Sequence, residues 1–410
     1  MRLTRRGLWM LGLGVVSIFG AYVIGRTELV YLGSLLVLLP VGALVFLRAR
    51  PVRLSVDRQF SPAVLSAGQV ATVSVEVHNL ARSWSIDVAW RDAWPWYSAD
   101  APSGRLPPLL PSGRLFAQRG YLLRYQMTPP RRGVFDIGPL RVTGADPFGL
   151  AVRETEVGEK HTVLVVPDVV PLPETVQLIA ADDGSGRTLQ RQTATGVDDL
   201  MAREYRTGDA LRRVHWRASA HRGDLMVRQE EQRSHAEARI LLDTRRAGHR
   251  DASVDFEPES DSLEWAVRFT ASLGLHLKRS GFAVHIVETC PRQIATLDQV
   301  QEFLASLAEV RLSDEPIAEE ALSFSPGVVR SLGSMFAVLA DAEDEVVDSL
   351  VRTTPAFDTA VAFLVSRRSA SLASSLRAAG WVCVPVTPRD NLDDVWLNAA
   401  RAREAHRVGA

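Results

Sequence analysis

Two long runs without a charged residue begin the sequence. Residues 7–25 and residues 29–47 contain no Asp, Glu, Lys or Arg, and each run has 19 residues. At about 1.5 Å per residue, a helix of that length spans about 28 Å, which is close to the roughly 30 Å hydrocarbon core of a bilayer. Only residues 26–28 separate the runs. The pattern predicts a helical hairpin, within residues 1–50, that crosses a membrane twice.

The distribution of arginines predicts how this hairpin is oriented. Arg26 lies in the connecting turn, whereas several arginines flank the two outer ends: Arg2, Arg5, Arg6, Arg48, Arg50 and Arg53. The positive-inside rule therefore places both ends, and the chain after residue 50, on the cytoplasmic side of the inner (plasma) membrane. The alternative is a cleaved signal peptide, but no A-x-A-like site closes the first run and a second run follows at once.

Residues 51–170 alternate apolar and polar side chains, as in ATVSVEVHN (residues 71–79). This period of two is typical of strands with one face on a core, and frequent turn residues predict a small antiparallel β-sandwich of the immunoglobulin-like kind. Residues 92–115 are rich in proline and predict a long loop rather than strands. We expect Trp90, Trp94 and Trp96 to anchor that loop on the sheet.

Residues 236–410 alternate short apolar runs with amphipathic helical patterns. Near-continuous apolar strands between helices indicate a mostly parallel, doubly wound (Rossmann-like) α/β domain. Ligands of such sheets bind beyond the carboxyl ends of the strands, where Asp243, Glu288 and Asp341 stand. No G-x-G-x-x-G or Walker motif follows a strand, so the usual nucleotide sites are unsupported. Cys290 and Cys383 fall at or in apolar runs and are predicted to be buried thiols.

Between the two domains, residues 171–235 hold the most unusual stretch, REYRTGDALRRVHWRASAHRGDLMVR (residues 203–228). Residues 196–232 contain seven Arg and seven Asp or Glu, and the whole chain has a net charge of −1. A nucleic-acid clamp needs uncompensated positive charge, so that role is disfavoured. We expect Asp209 to cap a short helix from Ala210, and Trp216 to pack inward.

Two readings of this stretch stay open, and they can coexist. Arginine forks suit bidentate pairing with carboxylates, which predicts an internally salt-bridged cap on the α/β domain. Arg, Trp and Tyr are also the favoured anchors of protein interfaces, which predicts a docking surface for a protein partner. The candidate protein-binding residues are Arg203, Glu204, Tyr205, Gly208, Asp209, Arg212, Arg213, Trp216, Arg217 and Ser219.

The same stretch resembles the bacterial domain-of-unknown-function family fifty-eight, whose pattern is R-x-Y-x-x-G-D-x-x-R-x-x-x-W-x-x-S-A-R. Here His221 replaces the last Arg of the pattern. A second hallmark of the family is matched by RRGVFDIGPLRVTGADPFGL (residues 131–150). The resemblance implies a membrane-anchored protein with a β-rich region, followed by a von Willebrand factor type A-like α/β domain.

The resemblance also implies partners. Family members are commonly encoded beside MoxR-type AAA+ ATPases and transglutaminase-like membrane proteins. Their implied role is that of a non-enzymatic adaptor or scaffold in the assembly or maturation of a client. The sequence leaves the client and the oligomeric state open.

Domains of the von Willebrand type often hold a divalent cation through D-x-S-x-S after the first strand. The corresponding residues are Asp243, Thr244, Arg245, Arg246 and Ala247. A guanidinium repels Mg²⁺ and Ala247 has no side-chain oxygen, so Asp243 is a weak metal candidate that we expect to pair with an arginine. No cofactor is predicted.

The alternative function is an enzyme with an unrecognised active site at the strand ends. Its candidate residues are Asp243, Glu288, Asp341 and His215. No motif places a Ser or Cys nucleophile beside a histidine, which disfavours this alternative.

Overall fold

The structure is a computed structural model. It describes residues 1–81, 84–96, 101–111, 120–175, 202–204, 216–228, 236–253, 260–317, 333–342, 344–365 and 370–409. The chain divides into two compact units, Met1–Val166 and Pro167–Ala410. The hairpin and the strand-rich region therefore form one unit, and the α/β region belongs to the other.

The hairpin consists of α1 (Arg5–Ile24) and α2 (Thr27–Ala49). Both helices are long and apolar enough to cross a membrane. Gly25, with φ of 73°, ends α1 in the left-handed conformation that glycine adopts readily. The helices touch at Gly14 and Gly33, where an added β-carbon would lie 2.8 Å or less from the opposite helix. The two predicted helices are thus confirmed as helices, each within about two residues of its predicted ends.

Short strands follow the hairpin and continue to the end of the first unit. They are β2 (Leu54–Ser61), β3 (Leu65–Ser66), β4 (Ala71–Asn79), β5 (Val88–Asp92), β6 (Ser103–Leu106), β7 (Tyr121–Met127), β8 (Gly133–Ile137), β9 (Leu140–Ala145), β10 (Ala151–Val157) and β11 (His161–Val166). A two-residue strand, β1 (Arg2–Leu3), precedes α1.

These strands form three sheets, ordered β1-β10-β9-β5-β6, β2-β4-β7 and β3-β11-β8. Their pairings are antiparallel, as predicted, except for the parallel contact between β3 and β11. In β4 the alternation predicted from the sequence is observed, because Val73, Val75 and Val77 are fully buried while the residues between them are partly exposed. Their side chains belong to the core of the strand-rich region.

The proline-rich residues 92–115 depart from the prediction of a loop without strands. β6 lies inside this stretch and pairs with β5, Val88 opposite Leu106. Residues 103–106 show no strand pattern of their own, and they form a strand because β5 lies beside them and provides the hydrogen-bond partners. The prediction for the tryptophans is confirmed: Trp90 is buried, and Trp94 and Trp96 pack against the same core.

The second unit has a short antiparallel ribbon and a parallel sheet. Its strands are β12 (Ala202–Glu204), β13 (Met226–Arg228), β14 (Glu237–Leu242), β15 (Ala283–Glu288), β16 (Ser334–Leu339), β17 (Thr359–Val365) and β18 (Val382–Val386). Its helices are α3 (Trp216–Arg222), α4 (Asp261–Arg279), α5 (Val300–Glu309), α6 (Asp344–Thr353), α7 (Ala370–Ala378) and α8 (Leu392–Gly409).

The five strands β14–β18 are all parallel and lie in the order β15-β14-β16-β17-β18. This confirms the predicted parallel α/β domain, and the order is that of flavodoxin-like doubly wound sheets. Each face of the sheet has its own apolar core. Every residue of β16 and β17 is buried, as expected for strands covered on both faces. Cys290 and Cys383 are buried free thiols, as predicted.

Candidate functional site

The motif segment brings its two ends together in the β12–β13 ribbon. Arg203 stands opposite Val227 in the antiparallel register, so the start of the motif lies beside the strand that follows its helix. Gly223, with φ of 84°, makes the turn between α3 and β13, as the Gly-Asp pair predicted. Arg203 and Glu204 thus lie in β12, and Arg217 in α3.

Ser219 ties α3 to β13. Its Oγ accepts a hydrogen bond from the backbone N–H of Met226 at 2.8 Å, and the Met226 side chain is buried. The serine of the family pattern therefore has a structural role in holding the helix on the ribbon. The sequence predicts Ser219 as a protein-binding residue and does not predict this hydrogen bond. The bond joins residues seven positions apart across a turn, and no local pattern indicates such a contact.

Trp216 lies at the first position of α3 and is 71% exposed. The prediction that it packs inward is wrong. The remaining candidates on the segment lie outside the described residues, as does the predicted helix from Ala210: Tyr205, Gly208, Asp209, Arg212, Arg213 and His215.

The strand ends of the α/β sheet are occupied by an ion pair. Asp243 follows β14 and is 1% exposed. Arg245 donates to both of its carboxylate oxygens, with Nε 3.0 Å from Oδ1 and a terminal nitrogen 3.0 Å from Oδ2. Thr289 Oγ1 donates to Oδ1 at 3.0 Å. The predicted pairing of Asp243 with an arginine is therefore observed.

A second polar layer covers Asp243. A 3₁₀ turn, Arg246–Gly248, folds back so that His249 Nε2 donates to the Asp243 carbonyl oxygen at 3.0 Å. His249 Nδ1 lies 2.6 Å from Ser262 Oγ, which in turn hydrogen-bonds Asp251 at 2.6 Å. Burial raises the pKa of Asp251, but hydrogen bonds from Ser262 and Ser260 outweigh it and hold that pKa below its usual value.

The other two strand-end acids also have structural partners. Glu288 Oε1 accepts from the backbone N–H groups of Gln293 and Ile294, at 2.8 and 2.7 Å, and so closes the loop after β15. Burial raises the pKa of Glu288 despite these bonds. Asp341 forms an ion pair with Arg250. No group of His, Cys, Asp and Glu residues suited to a metal ion is found among the residues that the structure describes.

The second hallmark motif, in the first unit, fastens the start of the hairpin. Asp146 accepts from the N–H groups of Phe148 (2.9 Å) and Ala151 (2.6 Å), which shapes the DPFGL turn. Thr4 caps α1 and reaches back to this turn: its Oγ1 donates to the Gly149 carbonyl at 2.8 Å, and its N–H donates to Leu150. Sequence reasoning did not foresee this contact.

The same motif also makes room for a buried charge. Arg58 donates to both oxygens of Asp92, at 3.1 and 2.8 Å, and Tyr125 donates its hydroxyl to the same carboxylate at 2.6 Å. A β-carbon on Gly138 would lie 2.7 Å from the Arg58 guanidinium. Glycine at this position therefore lets the backbone approach the ion pair closely.

A family model described as "Protein of unknown function DUF58" matches residues 201–296. The matched range includes the motif segment from its first described strand and the α/β unit as far as the loop after β15. The match supports the family resemblance over this part of the chain. No curated protein matches the sequence.

Several solved structures have weak similarity. A CARDB domain from Pyrococcus furiosus, solved with di-metal ions, is 20% identical, with 28% of this chain and 89% of that chain covered and a TM-score of 0.20. A cycloisomaltooligosaccharide glucanotransferase from Paenibacillus sp. is 11% identical, with 81% and 53% covered and a TM-score of 0.18. TM-scores this low do not establish a shared fold.

Proposed function

We propose that this protein is a non-enzymatic adaptor, anchored in the membrane by its hairpin, that presents a docking surface to a protein partner. The docking surface consists of the ten candidate residues of the motif segment named from the sequence. The partner with the best support is a MoxR-type AAA+ ATPase, because the resemblance implies such a neighbour and the family match covers this segment. A transglutaminase-like membrane protein is the second partner.

One observation carries the docking proposal: Trp216 exposes 71% of its surface on the first turn of a helix. A large aromatic side chain held on an ordered element is the kind of anchor that contributes most to protein interfaces. Its helix is fixed to the ribbon through Ser219 and the buried Met226. The indole therefore projects from a helix whose backbone is tied to the ribbon.

The strand ends favour an adaptor over the alternative of an enzyme. A carboxylate that acts as a base or metal ligand needs a free oxygen facing the substrate. Asp243 is buried with both oxygens engaged by Arg245. Glu288 uses Oε1 to hold a loop, and its Oε2, which has no hydrogen-bond partner among the described residues, is buried and does not face solvent. The enzyme alternative, with His215, stays a prediction.

The membrane arrangement belongs to the same proposal. The lengths of α1 and α2 support two crossings, and the arginines at the outer ends favour a cytoplasmic location for both soluble regions. The immunoglobulin-like sandwich and the von Willebrand factor type A-like identity of the α/β unit also stay predictions.

Co-purification tests the docking proposal. Full-length protein in mild detergent is mixed with the purified MoxR-type ATPase, in the presence of ATP and of ADP, and the amount captured is measured. Trp216→Ala is expected to weaken the affinity for the ATPase by about thirtyfold or more, since central aromatic anchors cost about 2 kcal/mol or more when truncated. The triple variant R212A/R213A/W216A is expected to abolish it.

Trp84→Ala is the matched control, because Trp84 is also an exposed tryptophan but lies in the first unit. It should leave capture unchanged. If the folded triple variant still captures the ATPase fully, the docking assignment is wrong. If the wild-type protein turns over a substrate and a folded Asp243→Asn variant does not, the enzyme alternative is favoured.

A further inference from the structure

A cavity of about 230 Å³ lies where the chain leaves α2 and enters the strand-rich region. One wall is formed by the residues directly after the helix, including Arg50 and Arg53. The other wall is formed by described residues that lie between β4 and β5, including Ala81, Trp84 and Ser85. The cavity lies within the first unit and shares no residue with the docking surface.

Backbone pairing fixes the walls of this cavity. The N–H of Leu80 donates to the Arg53 carbonyl at 2.8 Å, at the point where β2 and β4 begin to pair. Ser85 accepts from the N–H of Leu109 at 2.7 Å and returns its own N–H to the Leu109 carbonyl at 3.0 Å. The first wall is thereby held at the start of the β2–β4 pairing, and the second is held by Leu109, which follows β6.

The chemistry of the lining is that of an anion site. No Asp or Glu lines the cavity, and neither Arg50 nor Arg53 makes an ion pair with any residue in the described part of the chain. Both arginine side chains are exposed, and the Arg50 guanidinium lies 5.6 Å from the centre of the Phe46 ring. The Ser85 hydroxyl, which accepts from Leu109, keeps its own hydrogen to donate. Guanidinium forks suit phosphate oxygens in particular.

The position of the cavity at the end of α2 favours a lipid headgroup over free phosphate as the ligand. Arg50 caps α2 and lies three residues beyond the uncharged run that ends at Leu47. If α2 crosses a bilayer, this is the depth of the lipid headgroups. Trp84 is 54% exposed beside the cavity, and tryptophan is enriched at this depth because its ring is amphipathic.

We infer that this cavity binds the phosphate-bearing headgroup of an anionic phospholipid through Arg50 and Arg53, with Trp84 at the headgroup boundary. The inference rests on the membrane anchoring in the proposed function and is independent of the docking surface. Bound lipid holds the exit of α2 against Trp84 and Ser85, and so stabilises the junction between the anchor and the strand-rich region.

The test uses delipidated full-length protein in a neutral detergent. The melting temperature is followed while short-chain phosphatidylglycerol, short-chain phosphatidylcholine or inorganic phosphate is added. Phosphatidylglycerol is expected to raise the melting temperature of the wild type at lower concentration than the other two. R50Q/R53Q is expected to need about thirtyfold more phosphatidylglycerol, and each single variant about fivefold more, since one arginine near an anionic surface contributes about that factor.

R105Q/R124Q is the matched control, because it removes the same charge from two exposed arginines that do not line the cavity. It should respond like the wild type. An equal response of R50Q/R53Q and wild type overturns the site, and an equal effect of inorganic phosphate overturns the lipid assignment. Flotation with phosphatidylcholine vesicles tests the membrane anchor independently of the lipid site. Wild-type protein that does not float with these vesicles contradicts the membrane anchor itself.

Discussion

The carbonyl oxygen of Leu150 lies so close to Gly7 that a β-carbon at residue 7 would stand 2.2 Å from it. Leu150 ends the DPFGL turn of the second hallmark motif, and Gly7 lies in the first turn of α1. The same turn accepts hydrogen bonds from the side chain and from the backbone N–H of Thr4. The motif thus holds the start of the apolar hairpin against the strand-rich region.

We therefore expect Gly7→Ala to destabilise this junction. The backbone carbonyl cannot give way as a flexible side chain would, so overpacking should cost on the order of 1–3 kcal/mol. Gly12→Ala is the control on the same helix, since a β-carbon there meets nothing within 4 Å. The melting temperature of the full-length protein in detergent should fall for the first variant only. Equal melting temperatures would show that the contact is not maintained.

The buried pair of Asp243 and Arg245 supports a second prediction. Arg245→Gln leaves a buried carboxylate without its cation, which typically costs about 3–5 kcal/mol. The neighbouring Arg246 pairs with the exposed Asp314, so Arg246→Gln should cost about 1 kcal/mol or less. Denaturant unfolding of the two variants measures the difference. If both variants lose the same small amount, the strand-end pair is not the structural element described above.

A third prediction concerns Tyr125 and alkaline pH. Burial, together with the neighbouring Asp92 carboxylate, raises the pKa of Tyr125 well above its ordinary value. Above about pH 10 the unfolded chain loses the tyrosine proton while the folded protein keeps it, so the free energy of unfolding falls as pH rises.

Tyr125→Phe should therefore weaken the dependence of stability on pH in this range. It should also cost about 1.5–3 kcal/mol at neutral pH, because it removes a hydrogen bond to a buried carboxylate. Tyr121→Phe, on the same strand but exposed, is the control. Urea unfolding at several pH values checks the prediction, which fails if the two variants follow the same curve.

Glu288 gives a fourth prediction, in which stability also falls as pH rises. Because burial raises its pKa, its contribution to stability is fully present below the ordinary pKa of glutamate and is lost as pH rises through the folded value. Glu288→Gln keeps an acceptor for Gln293 and Ile294 but does not ionise. Stability should therefore fall less between about pH 4 and pH 7 in this variant than in the wild type. Glu309→Gln, on the exposed end of α5, should leave the wild-type profile unchanged.

The features predicted well are those that a local pattern encodes. Uncharged runs gave the two hairpin helices, and alternation of period two gave β4. The features missed depend on distant partners. β6 pairs with β5 inside a proline-rich stretch, and the Arg58–Asp92–Tyr125 cluster joins residues more than thirty positions apart. Helical spacing predicts that Trp216 packs inward, but its side chain is exposed. Spacing indicates which residues share a face of a helix, and it does not indicate whether another element packs on that face.

The sequence by itself determined that this chain has an apolar hairpin, a strand-rich region and a parallel α/β region, since hydrophobic periodicity and the absence of charge act over neighbouring residues. It also places an arginine, Arg245, two residues after Asp243 at the end of the first strand of the parallel sheet. Only the tertiary structure decided that this arginine holds Asp243, that the DPFGL turn holds Thr4, and that Arg50 and Arg53 line one cavity with Trp84. Such contacts depend on how separate elements pack, and chain spacing does not encode those distances.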